Sequence, residues 1–124
     1  MINIQELRIG NYLFNKGQPI CTVNGIYRRD HISVKESYLE SIHIENFEPI
    51  KLTTEILEKW FGFEKFTIID RYYFKLKTES FYCHIDEQGF GFALDIDNFY
   101  ICEYVHQLQN LYFALMGKEI TINV

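Results

Sequence analysis

With 124 residues, 48% hydrophobic and 23% charged, the chain has room for one domain and too much apolar content to be globally disordered. Its net charge of −5 is unevenly spread: residues 1–52 hold six basic and six acidic side chains, whereas residues 53–124 hold six and eleven. That balance lacks the basic footprint of a general nucleic-acid binder, although Arg28 and Arg29 adjoin, so nucleic acid is disfavoured as a partner but not excluded.

The N-terminal residues Met1 to Arg8 show no basic region followed by an apolar run, so no signal peptide is expected. Residues 12–48 predict short strands at Tyr12–Asn15, Pro19–Ile26, His31–Val34 and Ser41–Ile44, with turn chemistry at Asn15-Lys16-Gly17, Asn24-Gly25 and Arg29-Asp30. So many short strands in about fifty residues point to a small curled sheet or SH3-like half-barrel. Pro49 breaks the pattern. A helix is expected over residues 53–61, capped by Thr53 or Thr54, with Glu55 at the positive end of its dipole and Gly62 as its stop.

Residues 66–102 predict an antiparallel meander of Arg71–Lys77, Phe81–Asp86, Phe90–Asp95 and Phe99–Glu103, with Gln88-Gly89 as one turn. Tyr73, Lys75 and Lys77 alternate with Tyr72, Phe74 and Leu76, which predicts one wet face. Eleven Phe, nine Tyr and one Trp favour strands and bury large areas. A second helix is expected over residues 104–116, ended by Gly117, and a short strand Glu119–Asn123 is expected to close the sheet. The fold class is therefore α+β, mainly antiparallel sheet with two helices. A single domain is expected over residues 1–124, with a short-strand subregion 1–50 followed by helix, meander and helix in 51–124.

Several constellations invite chemistry. Gln88-Gly89-Phe90-Gly91-Phe92-Ala93 resembles the aromatic strand with which RNA-recognition domains stack bases, but Gln88 replaces a basic residue and a strand-helix-strand prelude is missing. A hairpin turn entering a core strand explains the same letters. Cys83, His84, Cys102 and His106 lack metal-ligand spacing, and adjacent strand residues face opposite ways. Three widely spaced cysteines form no disulfide framework and predict reduced, structural thiols in a cytoplasmic protein. Asp86, Glu87, Asp95, Asp97 and Glu103 sit at strand ends and turns, where carboxylates are commonly solvated, and they lack the glycine and distal glutamate of a calcium loop. No catalytic, metal or cofactor residue is expected.

The candidate interaction residues are on the last helix. From Tyr104 through Gly117 there is no formal charge, and on a helical wheel His106, Asn110 and Phe113 lie away from the apolar face of Val105, Leu108, Leu111, Tyr112, Leu115 and Met116. Amides suit burial because they can be hydrogen-bonded without desolvating an ion. His106, Gln107, Gln109, Asn110 and Phe113 are therefore expected to be covered, either by the protein's own strands or by a partner protein or second subunit.

Three segments carry a family resemblance: Glu6-Leu7-Arg8-Ile9-Gly10-Asn11; Pro49-Ile50-Lys51-Leu52-Thr53 leading to Leu57 and Phe61-Gly62-Phe63-Glu64; and Tyr104-Val105-His106-Gln107-Leu108-Gln109-Asn110-Leu111-Tyr112-Phe113-Ala114-Leu115. In that order they resemble an uncharacterised family of small proteins from Bacteroides-like bacteria and their phages. Lys51 and Met116 depart from its pattern, where Pro and Thr are expected. The resemblance implies an accessory gene product of a prophage or mobile element and supplies no activity. Arg8 and Asn11 complete the candidate interaction residues. Two functions follow as expectations: a non-enzymatic binding or assembly module without membrane contact, or a nucleic-acid-associated accessory protein using Arg8, Arg28 and Arg29.

Overall fold

A computed structural model describes residues 2–16, 20–68, 71–77, 79–86, 89–94 and 99–123. The fold is α+β, with two helices and two five-stranded antiparallel sheets among the described residues, neither closed into a barrel. The protein divides into two compact units, Met1–Lys51 with Tyr104–Asn110 and Leu52–Glu103 with Leu111–Val124. Among the described residues no helix is long and apolar enough to cross a membrane.

In the first unit β1 (Tyr12–Asn15), β2 (Ile20–Tyr27), β3 (His31–Val34), β4 (Ile42–His43) and β5 (Phe47–Glu48) form a sheet in the order β4-β3-β2-β1-β5. Alternation puts Leu13, Cys21, Val23, Ile32 and Val34 in one buried cluster, joined by Ile2, Leu7, Ile44 and Phe47 from the flanking segments. A 3-10 turn over Ile4–Glu6 leads into the sheet, with the Asn3 side chain accepting from the Gln5 amide at 3.0 Å.

One expected turn is absent. Asn24-Gly25 has turn composition, yet both residues lie inside the eight-residue β2. Val23 pairs with Val34 and Gly25 with Ser33, so Asn24 is the extra residue of a β-bulge. Gly25 is needed there for space: a Cβ would come within 2.5 Å of Ser33 Oγ and 2.9 Å of the Tyr27 ring and hydroxyl. The real turn follows Tyr27, which pairs with His31 across Arg28–Asp30.

In the second unit α1 (Thr54–Lys59) is capped by Thr53, whose hydroxyl accepts from the Ile56 amide at 3.1 Å. The sheet comprises β6 (Phe63–Ile68), β7 (Arg71–Leu76), β8 (Tyr82–Asp86), β9 (Gly89–Ala93) and β10 (Tyr100–Cys102), in sequential order. The meander thus begins one strand earlier than expected. Its core is aromatic: Phe81 lies 6.0 Å from Phe92, 6.2 Å from Phe63 and 5.0 Å from Tyr112, ring centre to ring centre. The Tyr112 hydroxyl donates to the Glu79 carboxylate, which Lys118 also approaches at 3.3 Å. That bond holds the Glu79 carboxyl below its usual range.

The predicted wet face of this sheet is not uniformly wet. Register aligns Phe66, Tyr73, His84 and Gly91 straight across β6 to β9. Tyr73 is buried in that row, 5.6 Å from the Phe66 ring and 5.3 Å from His84. Phe99 continues the row at 5.5 Å from His84 and occupies the space over Gly91, where a Cβ would meet its own Cβ at 2.8 Å. Period-two alternation fixes which face a residue is on; cross-strand aromatic partners then cover Tyr73 on the outer one.

The second helix, α2, spans Val105–Met116, and Gly117 ends it at φ +74° while its amide bonds Phe113 O at 2.9 Å. The expected strand Glu119–Asn123 does not form; that segment is irregular, tied by Asn123 N to Trp60 O at 2.8 Å.

Candidate functional site

The first unit gathers six of the seven candidate interaction residues. Asn110 Nδ2 donates to Glu6 O at 2.6 Å and Asn11 Oδ1 at 3.1 Å, while its Oδ1 accepts from Asn11 Nδ2 at 2.8 Å and Arg8 Nε at 3.1 Å. Asn11 Oδ1 also accepts from the Arg8 amide at 2.8 Å. Gln109, 2% exposed, bridges the backbone like a strand, accepting from Tyr12 N at 2.9 Å and donating to Gly10 O at 3.0 Å. Gln107 reaches back to the Tyr104 amide at 3.1 Å, a capping contact at the start of α2, and donates to Glu6 Oε1.

His106, 2% exposed, sits with Nε2 at 3.4 Å from Glu6 Oε1 and its ring stacked on Tyr104. Its Nδ1 is buried without a hydrogen-bond partner among the described residues. Burial pushes its pKa down, and the neighbouring Glu6 only partly opposes this. The helix amides are therefore engaged with residues 6–12 of the same molecule. Phe113 is not part of this knot; it belongs to the second unit and is 40% exposed.

Phe92 of the RNA-like segment is fully buried against Phe81, and β9 follows β8 by antiparallel pairing, so the strand-helix-strand context is absent. Gln88 itself lies outside the described residues. Cys21, Cys83 and Cys102 are buried and reduced, in no disulfide; burial pushes the Cys102 thiol up to about 12 and also raises the Cys83 thiol. Glu103 is exposed, whereas Glu87, Asp95, Asp97 and the Asp86 side chain lie outside the described set. Among the described residues no group of three or more His, Cys, Asp or Glu side chains is placed to hold a metal ion.

A concave surface lies elsewhere in the first unit, in a groove of about 660 Å³ beside β3. β4 pairs with β3 only at His31 and Ile32, so Ser33 and Val34 face the loop to Ser41 instead of a strand. Tyr27, Arg28, His31, Leu39, Glu40 and Ser41 line the groove together with Ser33, which pairs with Gly25. Three irregularities converge here: the Asn24 bulge, the crowded Gly25, and Arg28 at φ +55°. A non-glycine residue there costs on the order of 1 kcal/mol or more, and such strain and bulges cluster at functional sites.

Hydrogen bonds organise the wall. Ser33 Oγ donates to Asn24 Oδ1 at 2.6 Å, which fixes the carboxamide's orientation. His31 Nδ1 lies 2.7 Å from Asp30 Oδ1, and His43 Nε2 lies 3.4 Å from Asp30 Oδ2. The bond from His31 holds the Asp30 carboxyl below its usual range. Tyr38, on the loop, is fully exposed, and neighbouring Leu39 is 63% exposed. In the sequence only the Arg28-Arg29 pair marks this region. The signal able to find it is Asn-Gly inside a strand run, which reads as a bulge as well as a turn.

The sequence matches no protein-family model, no curated protein and no solved structure.

Proposed function

We propose that this protein is a non-enzymatic binding module whose groove beside β3 holds a segment of a partner protein. The observation that carries the proposal is the groove itself: about 660 Å³, within the range of about 300–1,000 Å³ typical of binding pockets, and lined by Tyr27, Arg28, Ser33 and Leu39. Its Ser33 hydroxyl is committed to the Asn24 carboxamide oxygen, which is no base, so Ser33 is not an activated nucleophile. Exposed Tyr27 in its lining is a residue type that anchors protein interfaces. A role as an accessory product of a prophage or mobile element is supported by the three resembling segments alone.

A second use of the N-terminal sheet, on nucleic acid, has Arg28 and Arg29 in its favour; both line a second hollow with Asn3, Ile4, Gln5 and Ile26. Arg8 is a weaker contributor, because its Nε bonds Asn110. Affinity capture from cells that naturally contain the protein tests both. A protein recovered with the wild type, lost with Tyr27→Ala/Arg28→Glu, and insensitive to nuclease supports the groove. Recovery unaffected by that double change, or abolished by nuclease, overturns it.

A further inference from the structure

Resting on the groove as the binding face, we infer that the groove recognises a carboxylate of the partner polypeptide, seated against Arg28 with the Asn24 amide and Tyr27 hydroxyl beside it. The groove wall is rich in unspent donors. Arg28 pairs with no carboxylate among the described residues, although it sits in a conformation that costs stability. The Asn24 carboxamide has its oxygen occupied by Ser33 Oγ, which leaves both Nδ2 hydrogens for an acceptor. Tyr27 folds over Gly25, with its hydroxyl 2.9 Å from where a Cβ would stand, and makes no hydrogen bond among the described residues. The nearest carboxylate by sequence, Asp30, is already shared between His31 and His43. Three donors with one uncompensated guanidinium suit a planar, singly charged acceptor, and a guanidinium fork matches a carboxylate in geometry.

Two features favour a polypeptide over a phosphate backbone. The lining also carries the Glu40 carboxylate, exposed and unpaired among the described residues, which disfavours a repeating polyanion more than a single carboxylate. Leu39, also in the lining and exposed, offers apolar contact to side chains adjoining the charge. The carboxylate has two sources, the free C-terminus of a polypeptide or an Asp/Glu side chain.

Amide-resolved NMR titration of the ¹⁵N-labelled full-length protein decides the matter. The ligands tested are acetyl-Ala-Phe-Ala with a free C-terminus, acetyl-Ala-Phe-Glu-amide, neutral acetyl-Ala-Phe-Gln-amide, and a hexathymidylate. One or both charged peptides should shift Gly25, Ser33 and Ser41, and which of them does so identifies the source. The neutral peptide should bind at least about tenfold more weakly, and Arg28→Gln should abolish the difference, as loss of a charge-assisted contact requires. Equal binding of charged and neutral peptides, preference for the oligonucleotide, or no shift with any peptide overturns the inference. The broader binding proposal fails separately, if Tyr27→Ala/Arg28→Glu leaves partner capture intact.

Discussion

Asn11 and Asn110, 99 residues apart, exchange a reciprocal pair of side-chain hydrogen bonds at 2.8 and 3.1 Å. Each carboxamide acts as donor and acceptor at once, and Arg8 and Glu6 take up the remaining capacity. The uncharged start of α2 is thereby explained. Amides can satisfy the segment 6–12 without the desolvation that a Lys or Glu would suffer there.

Asn110→Ala should destabilise the protein by about 2 kcal/mol, because Glu6 O and Asn11 are left with unmade hydrogen bonds. Asn110→Asp should cost at least as much: it keeps an acceptor for Arg8 Nε and Asn11 Nδ2 but sets a carboxylate oxygen against Glu6 O and Asn11 Oδ1, both acceptors. Urea denaturation measures both, and sedimentation should be unchanged in each. A folded variant of unchanged stability but altered assembly would mean that these amides serve a second subunit.

His106 gives a pH signature. Its folded-state pKa is lowered by burial, so below the ordinary histidine value of about 6.5 the unfolded state binds a proton that the folded state resists. Its contribution to stability is complete above that value and declines as the pH falls below it. His106→Phe retains a ring against Tyr104 and removes the titration. The stability difference between wild type and variant should therefore shift against the wild type on acidification from pH 8 to 5. A difference independent of pH contradicts the assignment.

Gly91→Ala should cost about 1–3 kcal/mol, since the new methyl meets the Phe99 Cβ at 2.8 Å in a covered row. Changing Phe99→Gly in the same protein removes the Cβ that the new methyl meets, so the double variant should recover part of the loss. Thermal melts of the two single variants and the double variant form the cycle. Strict additivity would show that Phe99 does not lie over Gly91.

Local signals are legible in proportion to how little they depend on distant partners. Thr53 as a cap, Gly117 as a helix stop and the polar run His106–Asn110 can be read directly, because capping and charge patterning are near-neighbour physics. The partners of that run cannot: Arg8 and Asn11 are about a hundred residues away. Asn24-Gly25 reads as a turn because its composition suits one, whereas its role as a bulge is decided by pairing with Ser33 on another strand. The groove beside Ser33 depends on that register, so it is invisible in the sequence. Alternation likewise places Tyr73 on the correct face, but its burial comes from Phe66 and His84 on neighbouring strands.

The central claim is that the groove beside β3 is the binding face, and site-specific photo-crosslinking tests it most directly. A photoreactive phenylalanine analogue at Tyr38, fully exposed on the groove loop, is compared with one at Ile101, an exposed position on β10. In cells that naturally contain the protein, position 38 should yield a discrete protein adduct that disappears when Arg28→Glu is added, and position 101 should not. An adduct at 101 but not at 38, or one at 38 that survives Arg28→Glu, contradicts the claim.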